Sequence, residues 1–96
     1  MFNPTLHHPI RTKIIALLAS HESLPYRSLK ESTGLTDGNL AGYLRSLEEA
    51  NYIRYEKIFE CRKPKTLYFL TDEGKKAFLE YLETLKSFIN EQENLA

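Results

Sequence analysis

The chain has 96 residues carrying 13 basic and 13 acidic side chains, a formal net charge of zero. That length suits one hydrophobic core and not two, and 42% hydrophobic with 27% charged residues excludes a disordered chain. The longest apolar stretch, Ile14 to Ala19, is far short of the roughly 20 residues that cross a bilayer.

The segment from Met1 shows no basic flank followed by an apolar run. The single Cys61 has no partner for an internal disulfide, so a reducing cytoplasm is the expected compartment. The zero charge is unevenly spread. Residues 1–79 hold 12 basic and 9 acidic side chains, whereas residues 80–96 set Lys86 against Glu80, Glu83, Glu91 and Glu93. The body is therefore basic and the tail acidic.

Pro9 suits a first helical turn, where its missing N–H costs nothing. Ile10, Ile14, Leu17 and Leu18 then recur at i, i+4, i+7 and i+8, which predicts a helix ending near Ser20. After the polar connector His21-Glu22-Ser23, Leu24 reads as a very short extended piece. Pro25 opens a second short helix carrying Leu29, and Gly34 is placed to end it in a left-handed conformation. Thr36 caps a third helix through Ala50, with Asp37 at the positive end of its dipole and Leu40, Leu44 and Leu47 on one buried edge. Asn51 reads as a left-handed stop.

Two runs rich in aromatic and β-branched residues follow, 52–59 and 66–70, separated by the charged segment 60–65 containing Pro64. They predict an antiparallel hairpin with a longish tip. Thr71 then caps a long final helix, read over 72–91, whose Phe78, Leu82, Leu85 and Ile89 repeat at spacings of four, three and four, widened by Tyr81 and Phe88. The expected fold is one domain over 1–96, mainly α with a small β-hairpin (α+β), in the order α-β-α-α-β-β-α. Residues 9–71 form the helix-turn-helix with its hairpin.

The strings Gly34-Leu35-Thr36-Asp37-Gly38-Asn39-Leu40 and Leu44-Arg45-Ser46-Leu47-Glu48-Glu49-Ala50-Asn51-Tyr52-Ile53 resemble the turn and recognition helix of MarR/ArsR-like winged helix-turn-helix regulators. Arg62-Lys63-Pro64-Lys65-Thr66-Leu67-Tyr68 and Leu70-Thr71-Asp72-Glu73-Gly74 resemble the wing, last strand and final helix start of a stand-alone winged-helix subgroup. The likeness spans roughly residues 9–85. It implies double-stranded DNA as partner, with helix 36–50 in the major groove and the tip 60–65 on the minor groove or backbone. Carried over position by position, Thr36, Gly38, Asn39, Gly42, Tyr43 and Arg45 face the groove, and Arg62, Lys63 and Lys65 supply the wing's cations. Tyr43 has a second reading, packed on the domain flank. Two departures stand out: Gly42 replaces a residue that is basic in many such regulators, and Asp37 would repel phosphates unless turned away.

Catalytic signatures are missing: there is no glycine-rich phosphate loop, no HExxH and no nucleophile elbow. His7, His8, His21 and Cys61 have no paired ligand spacing, so neither metal nor cofactor is expected. The last helix is more widely apolar than one contact needs. A homodimer through Phe2, Leu6, Phe78, Tyr81, Leu82, Leu85, Phe88 and Ile89 is therefore expected, reading a palindromic operator, more as repressor than activator. The alternative is a winged-helix module that meets another protein, which the neutral total charge favours.

Overall fold

The computed structural model describes residues 2–95, without the side chain of Leu95. Among these residues the elements are α1 (Pro9–Ala19), β1 (Leu24–Pro25), α2 (Tyr26–Thr33), α3 (Asp37–Glu49), β2 (Ile53–Glu60), β3 (Lys63–Leu70) and α4 (Asp72–Leu95). The strands form one antiparallel sheet in the order β1-β3-β2, with Leu24 opposite Tyr68 and Ile53 opposite Leu70. This is the winged-helix architecture: a helical body with a long β-hairpin beside its third helix.

The helix boundaries follow local chemistry. His8 caps α1 by accepting from the Ile10 amide at 3.2 Å, with Pro9 in the first turn. Gly34 ends α2 at φ 70°, and its amide bonds the Lys30 carbonyl at 2.9 Å. Thr36 accepts from the Asn39 amide and so caps α3. At the far end Asn51 adopts φ 62°. The Asn51 amide reaches the Glu48 carbonyl and the Tyr52 amide reaches the Leu47 carbonyl, a Schellman closure.

Leu6, Ile14, Ile15, Leu18, Leu29, Leu40, Leu44, Leu47 and Ile53 form the aliphatic core, each at most 2% exposed. At about 1.5–3 kcal/mol for each fully buried side chain, this cluster is the main force holding α3 and the hairpin to the body. The start of α4 is tied in by backbone and hydroxyl together. Thr71 donates to the Asn51 carbonyl at 2.7 Å and accepts from the Gly74 amide at 2.9 Å. A Cβ at Gly74 would lie 2.1 Å from the Tyr52 carbonyl oxygen, so only glycine lets the helix approach this closely.

Two expectations need correction. The segment 60–65 is not a long loop: the strands pair out to Glu60 and Lys63, leaving a two-residue turn at Cys61 and Arg62. Both residues are left-handed, φ 52° and 63°, as a type I′ turn requires. Pro64 fits inside β3 because its partner Phe59 is one step from the turn-closing pair, where an antiparallel ladder asks for no amide donor. The last helix also runs beyond 91, to Leu95, since nothing in the sequence breaks it.

Candidate nucleic-acid interface

Helix α3 is pressed to the body along one edge only. Leu40, Leu44 and Leu47 are buried, whereas Thr36, Gly38, Asn39, Ala41, Gly42 and Arg45 are exposed. Gly38, Ala41, Gly42 and Arg45 stand at i, i+3, i+4 and i+7, one strip of helix surface. Nothing lies within 4 Å of a Cβ built at Gly38 or at Gly42. Neither glycine is demanded by this chain's own packing, yet each weakens the helix relative to alanine. The bare strip begins at the capped N-terminus, where the first amides and the helix dipole favour an anion.

Tyr43, expected with this group, points elsewhere. It is half-buried against the core, and its ring centroid is 5.1 Å from that of His8.

Asp37 at the head of the helix is already occupied. The Tyr26 hydroxyl donates to its carboxylate at 2.7 Å, and Lys30 Nζ lies 3.1 Å from the same oxygen. The Tyr26 hydrogen bond, followed by Lys30, holds the Asp37 carboxyl below its ordinary range. The same bond to Asp37 pushes Tyr26 up to about 12, with desolvation adding to it. The negative charge that threatened the groove reading is thus held between α2 and α3.

The hairpin stands beside α3. Tyr55, Lys57, Thr66 and Tyr68 on its near face and Ala41, Leu44, Arg45 and Glu48 on the helix line a cleft of about 290 Å³. Desolvation in this cleft, only partly offset by Arg45, raises the Glu48 carboxyl, and burial likewise raises Tyr68. At the tip, Arg62 and Lys63 are exposed and make no ion pair among the described residues. Lys65 is half-buried, with Nζ 3.2 Å from Glu60. Lys57 is a functional candidate that sequence reasoning misses. Alternation from the buried Ile53 puts Tyr55, Lys57 and Phe59 on one face, and that period-two pattern is the available signal.

The apolar residues expected between copies separate into two sets. Leu6 is fully buried in its own chain and offers no surface; Tyr81 is 8% exposed and takes part in the core. Phe78 and Leu85 are half-buried against that core. Phe2 stacks on His7 at 4.4 Å and meets Phe88 edge-on at 5.8 Å. Leu82, Phe88 and Ile89 remain 40%, 46% and 47% exposed, joined by Leu79 at 54%.

A capped, one-sided third helix flanked by a cation-tipped hairpin defines a winged-helix DNA-binding domain. The chain belongs to the winged helix DNA-binding domain family, matching it over residues 10–89. An uncharacterized protein of Methanocaldococcus jannaschii is 38% identical over 73 residues, which cover 76% of this chain and 79% of that protein. Among solved structures, a transcriptional regulator homologue from Pyrococcus horikoshii superposes with a TM-score of 0.85 at 28% identity, covering 92% of this chain and 87% of the other. A PadR-like transcription factor from Bacteroides fragilis gives 0.78 at 20% identity, with 92% and 90% covered. A MarR-family regulator from Porphyromonas gingivalis gives 0.70 at 22%, with 88% and 80% covered. The family and fold are those of transcription regulators rather than enzymes. No helix among the described residues is long and apolar enough to cross a membrane.

Proposed function

We propose that this chain is a cytoplasmic, homodimeric transcription regulator, acting as a repressor at a palindromic operator. Helix α3 enters the major groove from Thr36, and the wing tip lies on the adjacent minor groove or its phosphates. The observation that carries this reading is the pair of glycines at 38 and 42, whose missing side chains serve no contact within the chain. They leave room for a groove wall and for the amides around Thr36 to meet a phosphate. Asn39 is the candidate for a paired hydrogen bond to adenine, and Arg45 for phosphate or guanine. Arg62 and Lys63 anchor the wing, with Lys65 shared with Glu60.

Dimerisation rests on α4. Covering Leu82, Phe88 and Ile89, which are all near half exposure and fall on one side of α4, returns about 1 kcal/mol per side chain on each copy. A two-fold contact there sets two recognition helices against successive turns of one duplex face. Sedimentation at micromolar concentration is expected to give a dimer, and a persistent monomer would remove this part of the reading.

Selection from random-sequence duplexes at two ionic strengths tests the whole. Recovery of an inverted repeat supports it. Lys63→Ala is expected to weaken every sequence alike and reduce the salt slope by about one, whereas Asn39→Ala relaxes sequence choice. The zero net charge favours a second reading, a protein-binding winged helix. Affinity for duplex that is absent at low salt would select it.

A further inference from the structure

Phe59 is the most exposed large apolar side chain among the described residues, at 79%. It sits one residue from the end of β2, an outer strand of the sheet. An apolar ring on an outer strand invites aggregation, and threonine or lysine would serve the hairpin equally well. Its cross-strand partner is Pro64, so an apolar pair sits one step behind the Glu60–Lys63 pair that closes the Cys61–Arg62 turn.

Two features say what this pair meets. The first is its face. Phe59 alternates with Lys57 and Tyr55, and those two residues line the cleft beside α3. The ring therefore continues the surface offered by the recognition helix. From Tyr55 to Phe59 the strand advances about 13 Å, beyond the cleft beside α3, while Pro64 faces Tyr26 and Arg27 of α2 across an open cleft of about 740 Å³. The second feature is charge. The acids of β2 are satisfied locally: Glu56 lies 2.8 Å from Arg54 and Glu60 lies 3.2 Å from Lys65. Lys57, Arg62 and Lys63 make no ion pair among the described residues, so the apolar pair is ringed by free cations.

Resting on the DNA-binding reading above, we propose that Phe59, backed by Pro64, is a wedge that enters the minor groove and partly unstacks one base step, bending the duplex. Cations hold the flanking phosphates while the ring replaces a stacking partner, and pyrimidine–purine steps yield most easily. The short type I′ turn and the proline keep the wedge stiff, so little of its ordering is left to binding.

The test uses the full chain and a 30-base-pair A·T-rich duplex with TA steps repeated symmetrically in both halves, labelled at its ends with a donor–acceptor pair. The wild type is expected to raise energy transfer on binding. Phe59→Ala is expected to lose most of that rise while affinity falls by about tenfold or less, and Phe59→Leu to keep it. Phe59→Lys is expected to bind with a steeper salt dependence yet leave the duplex straight. Because the chain has no tryptophan, Phe59→Trp gives a single indole reporter, expected to become shielded from acrylamide in the complex. Thermal melts of the DNA-free variants keep a folding defect distinct from a lost wedge. Unchanged bending by Phe59→Ala, or an indole as quenchable in the complex as outside it, overturns the wedge alone. A wild type with no affinity for the duplex overturns the DNA reading beneath it. Shielding of the indole by phosphatidylglycerol vesicles but not by duplex overturns the choice of partner.

Discussion

Replacing Gly38 and Gly42 by alanine should move stability and DNA affinity in opposite directions, because the two properties meet different surroundings at those positions. In the free protein a Cβ at either site meets nothing within 4 Å. Alanine is better than glycine in a helix interior by about 0.8–1 kcal/mol, and by less in the first turn. Gly42 lies mid-helix and Gly38 in the first turn of α3. The double variant should therefore gain about 1.5 kcal/mol, which for a domain of this size raises Tm by roughly 6–12 °C. Against a duplex the same two methyl groups occupy the space that the groove wall needs, and a displacement costing about 1.4 kcal/mol at each site weakens binding tenfold per site. The assay is a thermal melt without DNA at fixed protein concentration, paired with fluorescence anisotropy on a duplex at fixed salt. A variant that is more stable and binds as tightly as the wild type would refute the glycine argument. One that is less stable would refute the claim that this side of α3 is open.

Gly74→Ala should cost about 3 kcal/mol or more in urea unfolding, since the new methyl group meets the Tyr52 carbonyl oxygen at 2.1 Å and backbone must move. Cys61→Asn should stabilise the hairpin by about 0.5–1 kcal/mol, because asparagine tolerates the left-handed φ of 52° found there; an unchanged melt would count against the type I′ assignment. Tyr26→Phe should raise the Asp37 carboxyl toward its ordinary 3.8, as read by NMR titration. The folded state holds that carboxyl low, so the stability it confers is complete above about pH 4 and disappears as pH falls through the folded value; Tyr26→Phe should flatten that acid limb and also weaken duplex binding by freeing the carboxylate.

Much of the fold is legible because the chain marks its own element ends. Gly34 and Asn51 are left-handed where a helix must stop, and Thr36 and Thr71 accept the amides that a helix must leave free. The leucines of α3 at four- and three-residue intervals give both the buried edge and, by subtraction, the exposed one. The wing tip reads as a loop for a physical reason. Pro64 signals a break only where an amide is needed, and the cross-strand pair it occupies does not need one. Cys61 and Arg62 carry no glycine or asparagine to announce a tight turn. Side-chain partnerships between elements, such as Tyr26 with Asp37, depend on how α2 meets α3, and no spacing within either helix encodes that. Leu6 reads as surface because an N-terminal residue shows no periodicity, although it packs as a core residue.

The neutral total charge stands opposed to a DNA-binding role until the acids are followed to their partners. Glu31 pairs with Arg27, Asp37 with Lys30, Glu56 with Arg54 and Glu60 with Lys65. All four pairs are largely solvent-exposed, and such pairs contribute little to stability, about 0–1 kcal/mol each. Their effect on the field is larger than their effect on folding. Each pair is neutral as a whole, which leaves Arg45, Lys57, Arg62 and Lys63 without an ion-pair partner among the described residues, set against Glu48 and Glu49 of α3, which are equally unpaired. Screening limits the reach of a surface charge to about 8–10 Å in physiological salt. A phosphate brought to the wing as proposed would therefore respond to those cations and hardly at all to the acidic end of α4. What a duplex docked as proposed would meet is this local balance, four unpaired cations against two unpaired acids of α3, and not the neutral total.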